Sequence, residues 1–284
     1  MIGGATVVVG VIGNPIEHSL SPRMHNAAFE YLGLDYVYVP FKVLESGLKN
    51  AVGGARAFNL KGFNVTIPHK VSIIKFLDEV DFTARKIGAV NTVVNEEGSL
   101  LGYNTDGLGA LEALREEGIN PEGRKVLIIG AGGASRAITF TLAGICLKLT
   151  ILNRTRIKAV KLAKEFKNIG SKVDGKGLTL KSLEKELIDS EILINTTSVG
   201  MYPNVEESPV PEEFLHRDLV VFDIVYIPLE TLLLKYARRM GAKPINGAGM
   251  LVNQGAIGFK MWTGCEAPKD IMKKVVVESL LGRD

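Results

Sequence analysis

Residues 124–137 read RKVLIIGAGGASRA. Val126, Leu127, Ile128 and Ile129 are apolar without alternation, as expected of a strand covered on both faces. Gly130, Gly132 and Gly133 then form a tight turn into a helical run of small residues. Between a buried strand and a helix, such a turn presents backbone N–H groups and the positive helix end to a pyrophosphate. Glycines also serve any tight strand-to-helix crossing, so the strand–turn–helix context carries the reading. The third small-residue position holds Ser135 rather than Gly or Ala.

The next apolar run, KLTILNR (148–154), decides which dinucleotide. An NAD site of this kind carries Asp or Glu about 20 residues past the first glycine, where it takes the ribose hydroxyls. Here Asn153, Arg154, Thr155 and Arg156 follow, with Lys158 one turn on. A carboxylate there would repel a 2′-phosphate. A guanidinium binds it bidentately and stacks on adenine, which favours NADP(H) over a solvated basic loop.

Along the rest of the chain, short apolar runs alternate with amphipathic ones, the mark of an α/β protein. TVVVGVIG (6–13), DYVYVPFKV (35–43) and GFNVTIP (62–68) predict strands, and residues 88–107 a hairpin around Glu97-Gly98. Residues 21–33 predict a helix with Ser21 as N-cap, Pro22 at the first helical position and Gly33 at the end. A helix from Asp106 follows, with Leu108, Leu111 and Leu114 on one side. After the strand, glycine turn and helix of 120–143 come strand 148–154, helix 157–166, strand and loop 191–201, strand 218–226, helix 228–241, short strand 242–246, and helices over 249–264 and 267–282. The expected fold is therefore α/β in two domains. The first, 1–108, is a substrate domain completed by 250–284, and the second, 109–249, is a Rossmann-type dinucleotide domain.

With 284 residues, 46% hydrophobic and 23% charged, the chain is long enough for one large or two medium domains. A net charge of +3 with no basic block gives no reason to expect nucleic acid. The apolar N-terminus has no basic lead and is too short to span a bilayer, so no membrane partner is expected. Cys146 and Cys265 lie far apart without metal spacing, as free thiols of a cytoplasmic protein do, and no metal is expected.

The first half supplies a polar constellation. Ser19 and Ser21 sit two apart ahead of a helix, Asn64 and Thr66 share a strand face by period, and Asn91 lies in AVNTV. Asp106 ends NTDG, where a helix cap is the competing role. His18, His25 and His69 have no metal-like arrangement and read as surface or supporting residues. Lys70 falls in the first turn of a helix expected over VSIIKFL, where the dipole disfavours a cation and lowers its pKa towards a proton-transfer range.

Eight motifs occur in order over nearly the whole chain: VIGNPIEHSLSPRMHN, GFNVTIPHK, GAVNT, GYNTDG, GAGGASRA, NRT, NTTSVGM and GMLVNQGA. Together they resemble the shikimate dehydrogenase family, with quinate/shikimate dehydrogenases as near relatives. The resemblance implies Lys70 as catalytic lysine and Asp106 as its catalytic partner. It implies Ser19, Ser21, Asn64, Thr66, Asn91, Asp106, Tyr226 and Gln254 as substrate-binding positions. Gly130, Ala131, Gly132, Gly133 and Ala134 match the pyrophosphate loop. Asn153, Arg154, Thr155 and Lys158 match the 2′-phosphate site, although relatives often have arginine at the last. Ile224 and Gly247 match positions beside the nicotinamide.

The implied reaction is reversible, NADP-dependent reduction of 3-dehydroshikimate to shikimate in aromatic amino acid biosynthesis, with Lys70 and Asp106 handling the proton. A polyol carboxylate needs many neutral donors and acceptors, which Ser, Thr, Asn, Gln and Tyr supply. The alternatives are a quinate/shikimate dehydrogenase using NAD or NADP, and a non-catalytic NADP(H) sensor, which would be expected to lack the lysine–aspartate pair. A homodimer is compatible with the sequence.

Overall fold

The computed structural model describes residues 2–282. The chain forms two units, one from residues up to Gly109 together with Leu251–Gly282, the other from Ala110–Met250.

The first unit contains β1 (Val7–Gly13), α1 (Ser21–Tyr31), β2 (Tyr36–Lys42), α2 (Leu48–Ala57), β3 (Gly62–Val65), β4 (Glu79–Val80), α3 (Phe82–Ile87), β5 (Thr92–Glu96) and β6 (Ser99–Tyr103). Its six strands lie in the order β2-β1-β3-β5-β6-β4. β1 runs parallel to β2 and β3, and β5 is antiparallel to β3 and β6. The β5–β6 turn has Glu97 at φ 53° and Gly98 at φ 93°, the left-handed pair that a two-residue hairpin requires. One core packs Ile12, Val52, Phe63, Val65, Ile73, Val93 and Leu100. Trp262, from the C-terminal part of the chain, donates its indole N–H to Val93 O at 3.0 Å. It lies so close to Gly62 that a Cβ there would come within 2.2 Å of the indole nitrogen.

Unit boundaries fall inside α4 (Asp106–Glu116) and α9 (Ala248–Thr263). The second unit holds β7 (Lys125–Ile129), α5 (Gly133–Ala143), β8 (Lys148–Asn153), α6 (Arg156–Glu165), β9 (Lys172–Gly177), α7 (Leu180–Ile188), β10 (Ile192–Asn195), β11 (Val220–Asp223), α8 (Leu232–Arg239) and β12 (Lys243–Ile245). α10 (Lys269–Leu281) closes the chain and contacts α1. The second sheet is parallel, in the order β12-β11-β10-β7-β8-β9, the doubly wound dinucleotide order. Alternate residues of its central strands feed two cores. Val126, Ile128, Leu149, Ile151, Ile194 and Phe222 enter one, and Leu127, Ile129, Leu152, Leu193 and Val221 the other. That two-sided burial is why these strands show no polar alternation.

Several sequence expectations fail locally. Ser21 is not the cap of α1: Leu20 is, without a side-chain bond, so Ser21 lies inside the first turn. The run after Pro68 forms a turn and then a 3₁₀ helix over Ser72–Phe76 instead of an α-helix. A five-residue 3₁₀ segment with Lys70 outside it removes the dipole argument for that lysine. Leu111 and Leu114 are buried, but Leu108 is exposed. Among the described residues, no helix is long and apolar enough to cross a membrane.

Candidate active site

In the first unit, β3, β5 and the segment after β6 bring a polar cluster together. Lys70 Nζ meets Asp106 Oδ2 at 2.6 Å, with side chains 18% and 5% exposed. The lysine's backbone is also fixed, since its carbonyl accepts from Val90 N–H at 2.7 Å. Asp106 Oδ1 accepts from Asn91 Nδ2 at 2.8 Å. The orientation of Asn91 is forced. Its Oδ1 accepts from the backbone N–H of Thr105 at 2.8 Å, a group that can only donate, so Nδ2 must face the carboxylate. Asp106 is thus loaded with a donor on each oxygen. It is no helix cap: both bonds of its carboxylate go to side chains of other segments.

Asn91 Nδ2 has two hydrogens and three acceptors in range: Thr105 Oγ1 at 2.9 Å, Asp106 Oδ1 at 2.8 Å and Gln254 Oε1 at 3.3 Å. The two short contacts use both hydrogens, which leaves the Gln254 carbonyl weakly engaged and able to take a ligand hydroxyl. Asn64 is buried and occupied, receiving the Tyr38 hydroxyl at 2.7 Å and donating to Asn91 O and Thr92 Oγ1, both at 3.1 Å. Thr66 follows the end of β3, and its methyl lies where a Cβ on Gly13 would come within 2.4 Å. Ser19 Oγ accepts from Ser21 N–H at 3.3 Å. Asn104 was not anticipated. It takes Asp106 N–H on Oδ1 at 3.1 Å and donates to Ala89 O at 2.9 Å, so it starts α4 at the right place. Its position within the NTDG motif was the available signal.

Two histidines expected at the surface or in support are deeply buried. His69 is fully enclosed, with Nε2 2.7 Å from Val43 O; a carbonyl only accepts, so Nε2 carries the proton. His25 stacks on Tyr38 at 4.4 Å, has no hydrogen-bond partner for either ring nitrogen, and burial pushes its pKa down to about 3. Among the described residues no group of His, Cys, Asp and Glu could hold a metal ion.

The second unit carries the dinucleotide features. Gly130 has φ +117°, and a Cβ there would meet Thr196 Oγ1 at 2.3 Å. Above Gly132, the N-cap of α5, a Cβ would meet nothing within 4 Å, so the backbone is open to a ligand. Ala131 and Ala134 border this opening in the sequence. Ser135 is buried and donates to Gly130 O at 2.8 Å, so the departure from Gly or Ala braces the turn. At the end of β8, Asn153 donates to Thr155 O at 3.0 Å, and Arg154, Thr155 and Lys158 are exposed. Neither Arg154 nor Lys158 forms an ion pair among the described residues. An open helix end and unpaired cations suit a phosphorylated dinucleotide. Ile224 and Tyr226 are partly exposed after β11, and Gly247 packs so tightly that a Cβ would reach within 2.2 Å of Ile224 O.

Three family profiles match the chain. They describe a shikimate dehydrogenase substrate binding domain over residues 11–93, shikimate / quinate 5-dehydrogenase over 112–226, and a shikimate 5′-dehydrogenase C-terminal domain over 247–277. The chain is 49% identical over 281 residues, 99% of each sequence, to the shikimate dehydrogenase (NADP(+)) of Methanocaldococcus jannaschii. It is similar to a shikimate dehydrogenase crystallised with NADP+ (TM-score 0.93, 48% identity, 99% of this chain and 98% of that one). It also resembles the Listeria monocytogenes shikimate 5-dehydrogenase in complex with shikimate and NAD (TM-score 0.89, 42% identity, 97% of this chain and 98% of that one).

Proposed function

The chain belongs to the shikimate dehydrogenase family, and from that premise we propose that it catalyses reversible, NADP-dependent reduction of 3-dehydroshikimate to shikimate. NADP(H), held by the 130–134 turn and the Asn153–Lys158 segment, supplies the hydride chemistry. The chain's own residues must bind and orient the substrate and handle one proton. Lys70 donates that proton to the developing alkoxide at the former C3 carbonyl. Asp106, which accepts from Lys70 and from Asn91, aims the lysine and cannot itself donate in that state. Ser19, Ser21, Thr66 and Gln254 offer the neutral donors and acceptors that a ring carrying several hydroxyls and a carboxylate requires. The observation that carries this reading is the 2.6 Å Lys70–Asp106 pair held by Asn91.

The same reading places the enzyme in aromatic amino acid biosynthesis in the cytoplasm, with a small-molecule substrate and no nucleic-acid or membrane partner. The role of Lys70 is tested by Lys70→Ala. We expect kcat to fall roughly 10²–10⁴-fold, the range of a positioned general acid, with shikimate binding largely retained. Unchanged turnover would make Lys70 a bystander. Comparing shikimate with NADP+ against quinate with NAD+ tests the substrate. Faster turnover of the second pair would overturn the choice of shikimate.

A further inference from the structure

Asp223, the last residue of β11, is an acidic group that the reaction above does not use. It is completely buried, and three donors converge on it. Asn195 Nδ2 at 2.9 Å and Val225 N–H at 3.1 Å meet Oδ1, while the Thr231 hydroxyl meets Oδ2 at 2.7 Å. Among the described residues no cation pairs with it. Burial pushes its carboxyl up to about 6 against the pull of those three bonds. Packing alone does not require such a group, because an apolar side chain would avoid the cost of burying a charge.

Each donor belongs to a different segment at the carboxyl edge of the second sheet. Asn195 ends β10, and its Oδ1 accepts from Thr197 N–H at 3.0 Å and Thr197 Oγ1 at 2.7 Å. Thr197 Oγ1 in turn accepts from Val199 N–H at 3.2 Å. Thr196, in the same loop, is the residue that a Cβ on Gly130 would strike. Val225 follows Ile224 in the loop after β11, and its carbonyl accepts from Gly247 N–H at 3.3 Å. Thr231 caps α8. One carboxylate therefore joins the loop beside the glycine turn, the loop carrying Ile224, and the start of α8. In an open α/β sheet, this edge is where a dinucleotide lies.

We propose that Asp223 is a positioning residue for NADP(H), holding the 195–199 and 223–227 segments as a single wall that orients the cofactor. The proposal rests on the NADP(H) reading above. Wild-type binding of NADP+ tests that reading by itself, and differences among variants test Asp223. The experiment measures NADP+ and shikimate dissociation constants by calorimetry, with kcat, for wild type, Asp223→Ala and Asp223→Asn. For Asp223→Ala we expect the NADP+ constant to rise at least tenfold, kcat to fall, and the shikimate constant to stay within twofold. Asp223→Asn keeps an oxygen for Asn195 and Val225 and can donate to the Thr231 hydroxyl, so it should return NADP+ affinity to within about threefold of wild type.

Wild-type NADP+ affinity in Asp223→Ala would overturn the proposal. So would equal loss of both ligands, since that marks general damage, or failure of Asp223→Asn to rescue. If Asp223→Ala does not fold, Asn195→Ala cuts the same link from the other side. It should give the same cofactor-selective loss, and wild-type NADP+ binding in it would be equally fatal. A wild type that binds no NADP+ sinks the parent reading and this one with it.

Discussion

Lys70 and His25 are both basic side chains of the first unit, and their surroundings assign them opposite tasks. Lys70 keeps a carboxylate at 2.6 Å and some contact with solvent. His25 has aromatic faces around it and no hydrogen-bond partner, so it stays neutral down to about pH 3. In the unfolded chain an ordinary histidine takes up a proton below about pH 6.5. A base whose pKa is depressed by folding costs stability as the pH falls, because only the unfolded state binds the proton. The loss runs from about pH 6.5 down to about 3, at about 1.4 kcal/mol per pH unit once below the unfolded value. His25→Phe should remove one proton from the pH dependence of urea unfolding between pH 6 and 4. An unchanged slope would show that His25 is not the group responsible. A histidine in SPRMHN carries no sequence mark of such burial. The rings around it are Phe29 of its own helix, Tyr38 of the neighbouring β2 and, from α9 far away along the chain, Phe259 and Trp262.

At the scale of elements, legibility follows how locally each one is determined. β7 and the turn into α5 were legible because burial on both faces and a positive φ each leave a residue-level signature, apolar continuity and glycine. β9 was not. It is an edge strand with a single buried residue, Val173, and its Gly175 is required because α6 passes within 2.2 Å of where a Cβ would sit. α2 was hidden by Gly53 and Gly54, poor helix formers overridden by the burial of Leu48, Val52 and Ala55. The misread start of α1 and the 3₁₀ segment after Pro68 both turn on backbone bonds that residue type does not reveal. The Leu20 carbonyl accepts from Met24 N–H at 3.0 Å, so Leu20 takes the cap position. The Lys70 carbonyl, which an α-helix would pair within its own turn, accepts instead from Val90 N–H at 2.7 Å. The end of β8 makes its own prediction. In the proposed 2′-phosphate site, Arg154→Ala would remove a charge-assisted contact worth roughly 1.5–3 kcal/mol, so NADP+ affinity should fall about 10- to 100-fold. NAD+ affinity, measured alongside, should hardly change. A parallel loss of both would mean that Arg154 supports the loop and does not select the phosphate.

On the scale of the whole molecule, the two units divide the expected work. Binding of NADP+ should slow hydrogen exchange at the amides of 130–137 and 153–158, and shikimate at those of 62–70 and 91–106, as any ligand stabilises the state it selects. Protection by NADP+ confined to the first unit would contradict the division. The start of the second sheet at β7 was readable, because a doubly wound sheet begins afresh with its own glycine turn. Less readable was how much the first unit owes to the far end of the chain. Trp262 seals Gly62 and bonds to Val93, 169 positions earlier. During synthesis at ~5–20 residues per second, the first sheet therefore waits roughly 8–35 s for the side chain that covers it. In that interval the second unit, whose residues are continuous in sequence, can finish folding. The nascent N-terminal half, with apolar surface uncovered, is the stretch that a ribosome-bound chaperone would have to shield.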